Sequence, residues 1–60
     1  MDLYSLFGRE VIIECDNGLV IEGRVHTYTS AADNDPEPES IAVGNYELFE
    51  NDIKKLTIIK

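Results

Sequence analysis

The clearest alternation of apolar and polar residues runs from Gly8 to Tyr28 and predicts a β-hairpin. Counting by twos divides the first strand into an inward face, formed by Val11, Ile13 and Cys15, and an outward face, formed by Glu10, Ile12 and Glu14. Asn17-Gly18 follows between two runs rich in β-branched residues, and this dipeptide is typical of a tight two-residue turn with positive φ angles. The inward face is therefore expected to form a core.

The return strand keeps the alternation. Its inward face carries Ile21, Gly23 and Val25, and its outward face carries Glu22, Arg24 and His26. A glycine on the inward face of a strand usually marks a bulge, a sharp bend or a close approach of another backbone. A long second strand that bends at Gly23 can serve two sheets, which is how very small barrels close.

Shorter elements are predicted on either side of this hairpin. Residues 1–7 fit a helical turn or two, begun by Asp2 and ended at Gly8, which either caps one open end of a barrel or docks on a neighbouring subunit. Residues 40–49 fit a second hairpin with a turn at Gly44-Asn45, but the register of residues 46–49 stays open because two apolar residues stand side by side there. A tight turn across residues 51–54 and a last strand over residues 55–59 complete five strands.

The segment 30–39 breaks the pattern of apolar residues. It contains both prolines and four carboxylates in strict alternation, Asp33, Asp35, Glu37 and Glu39. The spacing begins like a calcium-binding loop, but the turn glycine expected at the sixth position is Pro38, and the glutamate expected at the twelfth is Gly44. We therefore expect no metal there, and predict a solvated acidic loop or a docking loop for a basic partner.

Length and charge limit what the chain can be. Sixty residues form one domain, residues 1–60, and a chain this short buries only about 60% of the surface that its unfolded form exposes. The single cysteine allows no intrachain disulfide, and no Cys/His set has zinc spacing. No apolar run is long enough to span a membrane and no leader is visible, so we expect a cytoplasmic protein with no membrane partner. A net charge of −7 disfavours nucleic acid as a partner, although a ring of subunits could still collect Arg9 or Lys54-Lys55 on one rim.

The order of elements describes an all-β fold, a small five-stranded SH3-like barrel of Sm type with a short N-terminal helical turn. Residues Gly8-x-x-Val11-x-Ile13, Gly18 and Gly23-x-Val25-x-x-Tyr28 resemble the first motif of the Sm-like (LSm) domains. Nearly the whole chain is similar to a group of short bacterial Sm-like proteins, found mainly in Gram-positive genomes, and the similarity includes Ser30-Ala31-x-Asp33-Asn34-x-Pro36-Glu37 and Ile53-Lys54-x-Leu56. This resemblance implies the fold.

The residues with which Sm proteins hold RNA do not carry over. Those proteins typically place an aspartate after the motif-one aromatic, where this chain has Thr29, and an asparagine four residues later, where this chain has Asp33, with Asn34 one place late. The Arg-Gly or Lys-Gly pair of the second motif occurs nowhere in the sequence. Only Tyr28 remains as a possible stacking ring, and an aromatic residue at that strand position is more often part of the core.

Catalysis has little support in the sequence. His26 falls on the outward face among charges, where an ordinary solvated histidine is expected. Cys15 falls on the inward face, where a thiol behaves as a small hydrophobic residue. No nucleophile with its base, phosphate-binding loop or acid pair can be identified, so we expect neither an enzyme nor a cofactor.

Two functions are therefore predicted from the sequence. The first is an assembly or protein-binding module, either a homo-oligomer or a receptor for a protein partner, in which Ile12, Val20 and Ile59 are outward apolar residues that a monomer would leave in water. The second is an RNA-binding ring protein of the Sm-like type, which rests on fold analogy.

Overall fold

The computed structural model describes residues 2–60, so the part of the predicted N-terminal turn that involves Met1 lies outside the described residues. The chain begins with a 3₁₀ turn, Leu3–Leu6, and continues through strands β1 (Glu10–Cys15) and β2 (Val20–Thr29) to a short helix α1 (Ala31–Asn34). Strands β3 (Ser40–Val43) and β4 (Tyr46–Phe49), a second 3₁₀ turn (Glu50–Asp52) and strand β5 (Ile53–Ile58) follow. No described helix is long and apolar enough to cross a membrane.

All five strands are antiparallel neighbours in one sheet of order β4-β3-β2-β1-β5. Strand β2 is the longest, and it belongs to both halves of the sheet: its first five residues pair with β1 and its last five reach β3. Five strands with an N-terminal turn are therefore confirmed. No pairing joins β4 to β5 within residues 2–60, so the structure shows a sheet with two edges rather than a barrel closed by hydrogen bonds.

The core lies on the face that alternation predicted. Val11, Ile13 and Cys15 of β1 are buried, and so are Ile21 and Val25 of β2. Strand β3 contributes Ile41 and Val43, and the N-terminal turn covers one end of this core with Leu3 and Leu6. The register of β4 is now resolved: Leu48 lies opposite Ile41 and is buried, whereas Tyr46 lies opposite Val43 and is exposed.

Gly23 stands at the point where β2 passes from β1 to β3. A Cβ atom at this position would lie 3.1 Å from Cγ1 of Val43, a side chain that is itself buried. The two halves of the sheet approach each other so closely here that a residue with a Cβ would have to push the Val43 side chain aside by a few tenths of an ångström. Of the three meanings that an inward glycine can have, the structure shows close approach at Gly23.

Three local predictions need correction. The first hairpin does not use a two-residue turn, because Asn17 does not adopt positive φ; Gly18 alone does, at 89°, and the Gly18 N–H donates to the carbonyl of Cys15. A three-residue connection that ends in a left-handed glycine is the alternative for this sequence. The second 3₁₀ turn spans Glu50–Asp52 instead of residues 51–54, because the Asp52 carboxylate accepts the N–H of Phe49. Strand β5 consequently begins at Ile53 and ends at Ile58.

Candidate functional site

The three outward apolar residues predicted as interface candidates lie on one face of the β5-β1-β2 half. Ile12 faces Glu22 and Thr57 across its two neighbouring strands, and Val20 faces Glu14. The N–H of Ile59 donates to the carbonyl of Glu10, which places Ile59 two residues along from the Ile12 level. The three side chains thus form a diagonal across three strands, with steps of about 7–8 Å between diagonal neighbours. Val20 and Ile59 are exposed, and Ile12 is half-buried.

The two edge strands carry opposite charges. Strand β5 contains Lys54 and Lys55 and no acidic residue, and β4 together with the start of the second 3₁₀ turn contains Glu47 and Glu50 and no basic residue. Lys54 is the extra residue of a bulge, because Cys15 pairs with Ile53 and Glu14 pairs with Lys55. Its ammonium group is exposed and makes no ion pair within residues 2–60.

The peptide groups of β5 point alternately towards β1 and away from it. The N–H of Ile59 bonds β1, so Thr57 and Lys55 are the residues of β5 whose N–H and C=O groups meet β1. The peptide groups of Leu56 and Ile58 consequently point away from the sheet. They can receive a further strand.

The acidic segment 30–39 is folded, which the sequence did not predict. Ser30 caps the short helix α1 by accepting the N–H of Asp33, and the Asn34 side chain donates to the carbonyl of Pro38 at 2.8 Å. Asp33, Asp35 and Glu37 are exposed, whereas Glu39 is half-buried. No group of three carboxylate, histidine or cysteine side chains that could hold a metal ion occurs in residues 2–60.

Tyr28 connects this acidic segment to the core. Its hydroxyl donates to Oε1 of Glu39 at 2.6 Å, and its ring meets that of Tyr4 edge to face, with the ring centroids 5.2 Å apart. The hydrogen bond to Glu39, helped by desolvation and by the negative charge of Glu39, raises the pKa of Tyr28 from 10.0 to about 12. The side chain predicted as a possible stacking platform is therefore engaged at both its ring and its hydroxyl.

A polar network under the acidic segment was missed from the sequence. Ser40 is only 1% exposed, and its hydroxyl donates to Oε2 of Glu47 at 2.7 Å. The amide of Asn34 lies 3.4 Å from the same hydroxyl oxygen. Ser40 is on the outer face of β3, so its burial results from the segment 30–39 folding over that face.

The two residues that were considered for catalysis, His26 and Cys15, lie in strands β2 and β1. Nε2 of His26 lies 2.9 Å from the carbonyl of Gly44, which can only accept, so Nε2 carries the proton. Nδ1 lies 2.8 Å from the hydroxyl of Thr27. His26 is the extra residue of a bulge in β2, and this hydrogen bond fastens it to the β3–β4 turn. Cys15 is a buried free thiol.

Cys15 lies at the floor of an apolar groove that sequence reasoning did not find. This end groove has a volume of about 340 Å³ and lies at the end of the core that β1 reaches last. Buried Cys15 and Leu48 line its floor, and partly exposed Leu19 and Tyr46 line its walls. Asp16 and Asp52 stand at the groove, joined by a hydrogen bond from the Asp16 N–H to the Asp52 carbonyl.

Basic residues gather near Phe7 at the other end of β1. Arg24 donates to the carbonyl of Gly8 at 2.6 Å and forms an ion pair with Glu10 at 3.2 Å. Nε of Arg9 donates to the carbonyl of Lys60 at 2.9 Å. Three of the chain's five cationic residues thus belong to segments that meet beside Gly8, next to the exposed Phe7, and we call this set the Phe7 patch: Phe7, Arg9, Arg24 and Lys60.

No protein-family model, no curated protein and no solved structure matches this chain. The comparisons therefore name no family, and what the structure establishes is a small antiparallel β-sheet domain.

Proposed function

We propose that this protein is a non-enzymatic assembly module, a small barrel of the Sm-like type whose copies join through their free sheet edges. The single observation that carries this proposal is the sorting of charge between the two edges. Lys54 and Lys55 stand on β5, and Glu47 and Glu50 stand on β4 and just after it. A basic edge that meets an acidic edge gains electrostatic complementarity, whereas two like edges repel.

Strand addition supplies the main-chain part of the contact. The outward peptide groups of Leu56 and Ile58 on β5 offer a template for a strand of the next copy. Because the donor and acceptor edges are different surfaces, the contact is head-to-tail and closes into a ring when the rotation between copies permits it. A closed ring would leave no edge open to unspecific pairing.

Protein is favoured over RNA as the partner on electrostatic grounds. RNA binding takes much of its affinity from Lys and Arg residues that neutralise phosphates, and the chain has 5 such residues against 12 acidic ones. Tyr28, the one residue that the Sm resemblance offers for base stacking, donates its hydroxyl to Glu39. Ile12, Val20 and Ile59 form a second surface that a protein partner could cover.

The proposal is tested by the solution mass of the native protein, measured by light scattering over a range of concentrations. We expect a stable multiple of 6.8 kDa. Lys54→Gln/Lys55→Gln should shift the assembly to at least tenfold higher concentration, and Ile58→Pro, which removes an outward N–H, should abolish it. Ala31→Glu/Ala32→Glu is the matched control, since both double variants change the net charge from −7 to −9.

Two results would overturn the proposal. The first is a monomer at every concentration. The second is an assembly whose mass responds equally to the lysine variant and to the alanine control, because such a response would follow from net charge alone.

A further inference from the structure

We infer that the Phe7 patch of one copy docks in the end groove of a second copy, an end-to-end contact separate from the sheet edges. The two ends of β1 differ in their surface chemistry. One end carries an exposed apolar side chain among cations, and the other carries an apolar recess beside two carboxylates. Each copy therefore has both halves of a complementary pair.

The residues of the Phe7 patch are all exposed at the surface. Phe7 ends the N-terminal 3₁₀ turn and is 53% exposed, although the neighbouring Leu3 and Leu6 are buried. Arg24 and Arg9 are each held by a backbone carbonyl, of Gly8 and Lys60 respectively. The Gly8 carbonyl fixes the Arg24 guanidinium group without neutralising its charge. Within residues 2–60, Glu10 is the one carboxylate that forms an ion pair with a residue of the patch, so Arg9 and Lys60 add positive charge there in a chain of net charge −7.

The end groove offers the opposite chemistry. Leu19 is 38% exposed and Tyr46 is 47% exposed, so both walls leave apolar area in contact with water. The volume of about 340 Å³ lies within the range of small-ligand sites and leaves room for one aromatic side chain. The Asp16 side chain makes no hydrogen bond or ion pair within residues 2–60, so its charge is open to a cation.

Charge and apolar area together select the occupant. A cationic side chain alone would leave the apolar walls in contact with water, and an apolar segment without cations would leave the charge of Asp16 without a counterion. The Phe7 patch supplies both, since the exposed Phe7 precedes Arg9 by two residues and Arg24 donates to the carbonyl of the adjoining Gly8. A buried aromatic anchor with a charged rim is the usual composition of an energetic centre in an interface.

The contact is tested with two variants that each destroy one half of it. Phe7→Asn removes the anchor, and Leu19→Asn removes a wall of the groove. The control is Ala32→Asn, because Ala32 is also exposed but lies on helix α1, outside the end groove, the Phe7 patch and the sheet edges. All are made in the Lys54→Gln/Lys55→Gln background, where edge pairing is weakened, and are measured by sedimentation equilibrium after circular dichroism has shown that they fold.

We expect each of the two variants to weaken association at least tenfold, and the control to match its background. Mixing the Phe7 and Leu19 variants is the decisive step. The first retains a groove and the second retains Phe7, so the mixture should form a dimer of twice 6.8 kDa that grows no further. Raising the salt concentration should weaken this dimer, because the rim charges are exposed.

Three outcomes would overturn the inference: unchanged association of both variants, failure of the mixture to dimerise, or an equal loss with Ala32→Asn. A fourth would reassign the patch, namely salt-sensitive binding of labelled single-stranded RNA that is lost with Arg9→Gln/Arg24→Gln while the protein stays monomeric. The edge proposal is judged separately. It fails if the lysine variant alone leaves the native mass unchanged, whatever Phe7→Asn does.

Discussion

The two halves of the sheet share a core and differ on their outer faces. In the β5-β1-β2 half the outer face is open to water, and residues alternate between charged, polar and apolar. In the β2-β3-β4 half the segment 30–39 folds over the outer face and buries Ser40. The β5-β1-β2 half is therefore buried on its inner face alone, whereas the β2-β3-β4 half is buried on both faces at Ser40.

This difference shows what holds each half. The open half relies on the inward side chains, since its outer ion pair between Arg24 and Glu10 is solvent-exposed, at 59% and 38% of the two side chains. Exposed pairs contribute little, typically about 0–1 kcal/mol. The covered half adds a network in which a buried hydroxyl has a carboxylate acceptor, and removal of a partner from such a network costs about 1–3 kcal/mol.

The largest effect should come from the core that both halves share. Ile13→Ala in the open half and Ile41→Ala in the covered half each remove a buried side chain and should each lower the free energy of unfolding by about 2–5 kcal/mol. A 60-residue domain has a total of roughly 3–9 kcal/mol. Urea denaturation should therefore find both variants largely unfolded or close to it.

Ile12→Ala is the control for this prediction, because Ile12 is the next residue in the same strand but half-buried on the outer face. Ile12→Ala should lower the free energy of unfolding clearly less than Ile13→Ala does. Where the alanine variants do not fold, Ile13→Val and Ile41→Val, at about 0.5–1.5 kcal/mol each, give the same comparison. A large loss in one half only would show that the core is not shared.

The next effect belongs to the covered half. Ser40→Ala leaves the Glu47 carboxylate without its buried donor and should lower the free energy of unfolding by about 1–3 kcal/mol. Ser5→Ala is the matched control, since it removes an exposed hydroxyl that donates to the Asp2 carbonyl. That change should stay within about 0.5 kcal/mol. Equal effects in urea denaturation would mean that the segment 30–39 does not seal the face.

The link between Tyr28 and Glu39 predicts a response to alkaline pH. The pKa of Tyr28 is raised to about 12 from 10.0, so the folded state favours the neutral phenol. The stability that this link contributes should be complete below pH 10 and should disappear as the pH rises from 10 to 12. Urea midpoints of the native protein and of Tyr28→Phe, compared across this range, should converge as pH rises. A constant difference would contradict the link.

The smallest effect is expected on the open face. Glu10→Gln removes the ion pair with Arg24 but leaves the bond from Arg24 to the Gly8 carbonyl. The loss should lie within about 1 kcal/mol and shrink further in 1 M salt. Denaturation at low and high salt measures it. A loss as large as that of Ser40→Ala would remove the contrast between the two faces.

Much of the fold was predictable because alternation reports which face of a strand is dry. The core positions of β1 and β2, the close approach at Gly23 and the inward pair Ile41 and Val43 all follow from it. The type of turn at Gly18 could not be predicted, because the same Asn-Gly dipeptide occurs in two-residue and in three-residue connections. Closure of the sheet into a barrel could not be predicted either, because it depends on the distance between β4 and β5 and not on the residue pattern of either strand.

The surfaces were less predictable than the core. The outward position of Ile12, Val20 and Ile59 followed from counting by twos, but their diagonal arrangement required the register. The end groove combines residues from β1, its turn, β4 and the second 3₁₀ turn, which are far apart in sequence. The Phe7 patch depends on backbone carbonyls that hold Arg9 and Arg24, and no residue pattern announces such contacts.

The continuity of β2 has a consequence for local opening. Because this one strand pairs with β1 over its first part and with β3 over its last, neither half can separate while β2 stays intact. Amide hydrogens in the middle of β2, around Val25, should therefore exchange with solvent only through unfolding of the whole domain. The amides of β4, held on one side alone, should exchange through smaller openings. The domain would then loosen from its edges while its shared strand reports the global free energy of unfolding.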